Sequence, residues 1–279
     1  MMLQQTAPLA GDLPIGVFGR FFADHERMLW KLSDVAWDQI DSSALDAPTL
    51  AAVRGALLVE SHNPVYASTL LDRFRNDFPM TNFLAVWTYE EFKHFAGLKA
   101  YLEAAEAMAP ELLATELATT RAGEWIIPDR YTDLMMSTYA MLQELITGIF
   151  YKNFALQVRE PVLRGLLVQI GKDEYRHCQF YFDYAKRVLD ADRSRLDEVD
   201  EAMLEFEMPG PGFVPDYDDH AAAMLAAANP GAGAFREVLT KVSNLIGKRH
   251  MLRLAGNATY RQRLQEAWGI EPRHLFAFS

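Results

Sequence analysis

Two copies of the motif Glu-x-x-His, each inside a long segment of helical hydrophobic periodicity, constrain this chain more than any other feature. The first runs from Glu91 to His94 and the second from Glu174 to His177. Residues three apart lie on one face of a helix, so each motif presents a carboxylate and an imidazole together. Both motifs share their face with apolar side chains, and a carboxylate buried in such surroundings needs a partner or a metal.

Two further segments each place a lone glutamate, Glu60 or Glu144, on an apolar helical face. In chain order, four segments therefore supply Glu, Glu-x-x-His, Glu and Glu-x-x-His, which is the ligand set of a bundle that holds two iron or manganese ions. From Glu60 to Glu91 is 31 residues, and from Glu144 to Glu174 is 30. Two similar helix hairpins would bring all six side chains to one level. Oxygen and imidazole ligands without thiolate favour iron or manganese.

The remaining histidines carry less information. A third Glu-x-x-His, from Glu271 to His274, contains a proline and is interpreted as a coincidence. His62 follows Glu60 by two residues, so it faces away from the ligand face. Four histidines are interpreted as structural: His25, His62, His220 and His250.

Helical periodicity dominates the chain, and no alternating strand pattern with hairpin turns is found. The core segments are predicted at about 48–75, 79–107, 131–158 and 161–189. The peripheral predictions are a helical segment at 18–40, a link at 110–130, a charged helix at 194–207, a break at 208–219, a helix at about 234–254 and a short terminal helix. We therefore predict an all-α protein, one domain over residues 1–279, with a four-helix core at about 48–190 and a C-terminal helical appendage at about 194–279.

Composition restricts the class of function. Asp and Glu number 38 against 27 Lys and Arg, a formal charge of −11, which opposes general nucleic-acid binding. The single cysteine, Cys178, excludes an intrachain disulfide framework and a cysteine-rich zinc site. No apolar run approaches the roughly 18 residues that span a bilayer, and the first 16 residues lack a signal-peptide pattern. We expect a soluble, cytoplasmic protein that is not transmembrane.

From about residue 50 to 190 the sequence resembles the soluble acyl-carrier-protein (acyl-ACP) desaturases, a branch of the ferritin-like di-iron proteins, and especially their compact mycobacterial members. WTYEEFKH at 87–94 resembles the family's W-T-x-E-E-x-x-H, and KDEYRH at 172–177 resembles D-E-x-R-H. Glu60, followed by Pro64 and Tyr66, is similar to E-x-x-x-P-x-Y, and QELIT at 143–147 is similar to Q-E-x-x-T. The stretch REPVLRGLLVQIG and the tail AWGIEP resemble the mycobacterial members.

The resemblance implies a ferritin-like bundle with two Fe²⁺ ions, which react with O2; manganese is the other allowed metal. It implies that the metal ligands are Glu60, Glu91, His94, Glu144, Glu174 and His177, and that Glu91 and Glu174 bridge the ions. Trp87, Glu90 and Asp173 would bond to the ligands and orient them. Thr147 would lie on the oxygen side; alternatively, it is an ordinary helix threonine bonded to the carbonyl four residues earlier.

The resemblance further implies an oxygen-dependent desaturase of an acyl chain carried by ACP, with a ferredoxin as electron donor and a homodimer as the assembly. The ligands alone do not distinguish desaturation from hydroxylation. One alternative is a di-iron monooxygenase that hydroxylates or N-oxygenates a carrier-bound or free metabolite. Another is a catalytically idle metal-binding protein, or an iron oxidase and store.

Two substrate-related features are weaker. ACP is acidic like this chain, so a docking patch must be local. The basic stretch 234–263 offers Lys248, Arg249 and Arg253, and a basic solvated helix face is the alternative. A stripe of apolar residues either lines an elongated cavity or belongs to the packed core: Phe92, Phe95, Met141, Phe150 and Tyr151.

Overall fold

The computed structural model describes residues 17–268, and within this range every regular element is a helix. The third Glu-x-x-His motif and most of the AWGIEP tail lie outside the described residues. The helices are α1 (Val17–Met28), α2 (Ala47–Glu60), α3 (Asn63–Arg73), α4 (Phe78–Ala104), α5 (Pro110–Ala122), α6 (Asp133–Gln157), α7 (Pro161–Ala191), α8 (Leu196–Leu204), α9 (Tyr217–Ala228), α10 (Ala232–Ile246), α11 (Lys248–Gly256) and α12 (Ala258–Trp268). The organisation as one domain over residues 1–279 stays a prediction.

The core is a four-helix bundle, which confirms the predicted all-α fold. Its legs are α2 continued by α3, then α4, α6 and α7; α2 packs on α4, α6 on α7, and α4 on α7. Side chains cap the helix starts: Asp77 accepts from the Met80 amide at 2.9 Å, and Glu160 accepts from the Leu163 amide at 2.6 Å. Prolines occupy the first turns of α2, α4 and α7, where the missing N–H costs no hydrogen bond.

The first leg is broken, so the prediction of one continuous helix over 48–75 is wrong. α2 ends at Glu60 and α3 begins at Asn63. Pro64 lacks an N–H, and its ring clashes with the carbonyl four residues earlier, which belongs to Glu60. The proline therefore places Glu60 at the last position of α2.

Three peripheral predictions also need correction. The predicted link at 110–130 contains α5, and α9 begins inside the predicted break at 208–219. The predicted helix at 234–254 is divided into α10 and α11 by Gly247, whose φ of 90° lies outside the helical region. α9 packs on α2 and α6. The residues that flank this helix, Asp216 and Asn229, both have left-handed backbone conformations.

Two glycines allow α6 and α7 to approach closely. A Cβ on Gly148 would lie 3.3 Å from the Cβ of Glu174, and a Cβ on Gly171 would lie 3.3 Å from the Cβ of Tyr151. This close approach positions Glu174 and Tyr151 in the middle of the bundle, where both are buried. Across residues 17–268, no helix combines the length and the apolar composition that crossing a membrane requires.

Candidate metal centre

The structure brings the six predicted ligands together inside the bundle. They form two groups of four, in each of which one ligand atom per residue lies within 4.8 Å of the others. The first group is Glu60, Glu91, His94 and Glu174, and the second is Glu91, Glu144, Glu174 and His177. Glu91 and Glu174 belong to both groups, which is the geometry of two ion positions joined by two carboxylates. All six residues are buried, with at most 6% of the surface of any of them exposed.

Both imidazoles direct Nδ1 toward the centre. His94 Nδ1 lies 3.2 Å from Glu174 Oε1. His177 Nδ1 lies 3.1 Å from Glu91 Oε1 and 3.2 Å from Glu144 Oε2. The Nδ1 atoms are therefore the ligand atoms that the two rings offer, and the Nε2 atoms point outward.

The three residues predicted to support the ligands all contact them. Glu90 Oε2 lies 2.9 Å from His177 Nε2, and Asp173 Oδ2 lies 3.1 Å from His94 Nε2. Both pairs join α4 to α7: Glu90 on α4 contacts His177 on α7, and Asp173 on α7 contacts His94 on α4. Trp87 Nε1 donates to Glu144 Oε1 at 2.9 Å. Such contacts fix ring orientation and raise the basicity of a ligand.

Five side chains around the ligands were not predicted to have this role. Trp30 Nε1 donates to Asp173 Oδ2 at 2.7 Å, and His25 Nδ1 lies 2.9 Å from Glu90 Oε1. Arg176 forms ion pairs with both Glu90 and Asp173, and Lys93 Nζ lies 3.2 Å from Asp173 Oδ2. The fifth is Tyr151, which donates to Glu60. Lys93 and Arg176 lie inside the two Glu-x-x-His motifs, and this position in the sequence could have identified them as neighbours of the ligands.

Burial and mutual repulsion shift the titration of the cluster. Burial raises the pKa of Glu60, Glu91 and Glu144, and the negative charge of Glu174 raises each of them further. Burial alone would lower the pKa of both histidines. The carboxylates around His94 and His177 outweigh it and raise each pKa well above the usual value.

The residues fit a pair of divalent cations. Among the described side chains, three buried ligand atoms lie close to other ligand atoms but form no hydrogen bond of acceptable geometry: Glu91 Oε1, His94 Nδ1 and Glu174 Oε1. Two divalent ions would neutralise the four ligand carboxylates, while Lys93 and Arg176 neutralise the two supporting carboxylates. Oxygen and imidazole ligands suit iron, and manganese is compatible with the same set.

An apolar cavity of about 170 Å³ reaches the cluster at Glu60. Helices α2, α6 and α9 and the loop at 208–209 form its walls, and Glu60 is the only carboxylate in the lining. Thr147 lines it too; within residues 17–268 its hydroxyl bonds to no protein group, so the alternative bond to the Gln143 carbonyl is not observed. The cavity is smaller than the roughly 300–1,000 Å³ of typical ligand sites.

Only part of the predicted apolar stripe lines this cavity. Phe150 and Tyr151 do, whereas Phe95 and Met141 are packed in the core. Phe92 is 55% exposed on the outside of α4, so for this residue both alternatives, the cavity and the packed core, are wrong.

The predicted docking residues lie away from these ligands in the chain, on the surface of α11. Lys248, Arg249 and Arg253 are all exposed. Nη2 of Arg253 lies 2.9 Å from Nδ1 of His250. None of the three basic residues forms an ion pair with a carboxylate among the side chains that the structure describes.

Together the bundle and the two groups with shared carboxylates define a ferritin-like protein of the di-iron carboxylate class. The family model described as fatty acid desaturase matches residues 31–266, and the chain belongs to this family. The buried cluster fits a di-iron site, and manganese is allowed.

Comparisons with individual proteins agree with this family. The chain is 26% identical to the putative acyl-ACP desaturase DesA2 of Mycobacterium tuberculosis over 157 residues, 56% of each chain. It is 26% identical to DesA1 of the same organism over 184 residues, 62% of this chain and 54% of DesA1. These matches span little more than half the length of the curated relatives.

Solved structures share the fold. The crystal structure of DesA2 superposes with a TM-score of 0.63 at 20% identity, covering 89% of this chain and 96% of DesA2. An R2-like ligand-binding oxidase with a reconstituted Mn/Fe cofactor superposes with a TM-score of 0.51 at 15% identity, covering 94% of this chain and 95% of the oxidase. The predicted ferritin-like fold and family are thus confirmed.

Proposed function

We propose that this chain is an oxygen-dependent desaturase that introduces a double bond into an acyl chain presented by ACP. One observation carries the proposal: the cavity that reaches Glu60 is otherwise lined by apolar side chains and Thr147, with Tyr151 and Tyr217 as the only other polar groups. An apolar chain is the substrate class that such walls favour, because burying its methylene groups is favourable by about 0.8 kcal/mol each.

In this proposal the six clustered side chains hold two iron ions, with Glu91 and Glu174 shared between them. When bound, the iron pair supplies the reducing power that activates O2 for removal of hydrogen from an unactivated C–H bond. The overall reaction removes two hydrogen atoms from neighbouring carbons. One O2 takes up these two hydrogens with two further electrons and two protons and leaves as two water molecules.

The protein's own contribution is position and exclusion of water. The walls from α2, α6 and α9 would hold one carbon pair beside Glu60, and their apolar side chains would keep bulk water away. Thr147 is the proposed catalytic residue: it lines the cavity, and its hydroxyl would hold a proton at Oγ1 next to the reacting carbons.

The partners are proposals from the family resemblance. An acidic ACP would dock on the exposed Lys248, Arg249 and Arg253 of α11, since these cations face solvent on a chain of net charge −11. A ferredoxin would supply the electrons, and the chain would act as a homodimer in the cytoplasm.

The test is a reaction with the iron-loaded chain, acyl-ACP, ferredoxin, its reductase and NADPH. Loss of two hydrogens from the product, by mass spectrometry, supports desaturation. Gain of one oxygen would instead establish a monooxygenase, the alternative that the ligand set also permits. The Glu174→Ala variant, which lacks a shared ligand and is incubated with iron in the same way, is the control for background oxygen consumption. If the wild-type chain consumes no more oxygen than this control with any acyl length, the proposed desaturase function is wrong.

A further inference from the structure

The N-terminal segment 17–30 precedes the part of the chain that the family model matches, which begins at residue 31. Two side chains of this segment nevertheless touch the carboxylates that support the metal centre. Trp30 donates to Asp173, and His25 contacts Glu90. Each contact serves a different half of the cluster, because Asp173 pairs with His94 and Glu90 pairs with His177.

The sequence of α1 explains why His25 reaches the bundle. Phe18, Phe21 and His25 follow each other at spacings of three and four, so they share one face of the helix, and all three are buried. This face packs on α4 and α7, and the ring centroids of Phe21 and His177 are 6.3 Å apart. A buried imidazole on such a face needs a hydrogen-bond partner, and Glu90 is that partner.

Glu90 is completely buried, and both of its oxygens are engaged. Oε1 lies 2.9 Å from His25 Nδ1 and also pairs with Arg176. Oε2 lies 2.9 Å from His177 Nε2. His25 and Arg176 therefore hold one oxygen of the carboxylate, which leaves the other aimed at His177.

We propose that His25 is a positioning residue for one of the two metal ions. By holding Glu90, it fixes the ring of His177 with Nδ1 toward the group formed by Glu91, Glu144 and Glu174. This inference rests on the proposed metal centre. It adds that α1, through His25, helps to position a metal ligand. His25 acts on one ion only, since Nε2 of His94 contacts a different carboxylate, Asp173, which in turn accepts from Trp30.

The test compares four full-length proteins: wild type, His25→Leu, His25→Asn and Arg27→Gln. Leucine keeps the bulk of the side chain and removes the nitrogen, whereas asparagine places an amide nitrogen near the position of Nδ1. Arg27 is the control on the same helix, because it is exposed and pairs with Asp24 rather than with the centre. The probe is Co²⁺, titrated without oxygen, with its visible absorption bands recorded for each ion bound.

We expect His25→Leu to weaken one of the two Co²⁺ binding steps by about 10- to 100-fold and to alter its absorption bands, as loss of such a support does elsewhere. The affinity of the other binding step should be unchanged. His25→Asn should keep most of the affinity that His25→Leu loses, and Arg27→Gln should bind Co²⁺ as wild type does. Thermal melts of the metal-free proteins identify any variant that fails to fold.

Three outcomes overturn the inference in different ways. If wild type binds two Co²⁺ ions and His25→Leu binds both with unchanged affinity, the role of His25 is wrong and the metal centre stands. The same holds if His25→Leu weakens both steps equally together with a lower melting temperature, since that is a packing defect. If wild type itself binds fewer than two ions, the proposed centre is wrong, and this inference is wrong with it.

Discussion

Tyr151 on α6 donates a 2.6 Å hydrogen bond to Oε1 of Glu60, a residue 91 positions earlier in the chain. Glu60 is the last residue of α2, because Pro64 ends the helix there. Its carboxylate accepts this bond from a different leg of the bundle. Both side chains are buried, so the contact is not weakened by competing water.

Replacing Tyr151 with phenylalanine should weaken metal binding at the position that includes Glu60. The variant leaves a buried carboxylate without its donor, which costs about 1–3 kcal/mol of stability. Loss of a support of this kind lowers metal affinity by about 10- to 100-fold. Anaerobic Fe²⁺ titration should show one weakened step and one unchanged step.

Tyr181→Phe is the matched control for this change. Tyr181 is also buried near the cluster, but its hydroxyl has no hydrogen-bond partner among the described residues. Removing that hydroxyl should leave metal affinity unchanged and stability equal or higher, because no bond is lost. Equal losses in the two variants would show that the contact with Glu60 is not responsible.

Sequence reasoning found the six clustered side chains because helical spacing puts Glu and His on one face, and because equal hairpin lengths put the faces at one level. It missed the contacts of Tyr151 with Glu60 and of His25 with Glu90, which join residues 91 and 65 positions apart. Such contacts depend on how whole helices pack, and no local pattern encodes them. It also missed α9, whose alanine-rich sequence, YDDHAAAMLAAA, has little contrast between its faces.

Removing a shared carboxylate should have a different effect from removing an unshared one. Glu91 belongs to both ligand groups and Glu144 to one. Glu91→Ala should therefore lose both ions, and Glu144→Ala should retain one, as measured by elemental analysis after reconstitution. Equal metal content in the two variants would contradict the shared geometry.

The stability of the metal-free protein should fall as pH rises from about 5 to 8. The pKa values of His94, His177 and the carboxyls of Glu60, Glu91 and Glu144 are all raised on folding, so the folded chain binds more protons than the unfolded chain. The stabilisation from each group is complete below its unfolded pKa, 4.5 for Glu and 6.5 for His, and is lost as pH rises through the folded value. The lowered pKa of Glu174 acts in the opposite direction, but below pH 4.5.

Metal binding should reverse this trend. The ligands must lose their protons to bind a cation, so binding releases protons and tightens as pH rises. The gap between the melting temperatures of the loaded and metal-free proteins should therefore widen between about pH 5 and 8. Differential scanning calorimetry at a series of pH values measures both. A metal-free melting temperature that rises across this range would contradict the raised pKa values.

Filling the cavity beside Glu60 should weaken acyl binding without disturbing the metal centre. Ala221 on α9 lines the cavity, whereas its neighbour Ala222 is exposed to solvent. Ala221→Phe places a phenyl ring where the acyl chain would lie, so KM for acyl-ACP should rise by about 10- to 200-fold, the range that pocket size controls. Ala222→Phe carries the same added bulk on the outer face of α9 and should leave KM unchanged. Iron content should stay at the wild-type value in both; an unchanged KM in Ala221→Phe would place the acyl chain elsewhere in the bundle.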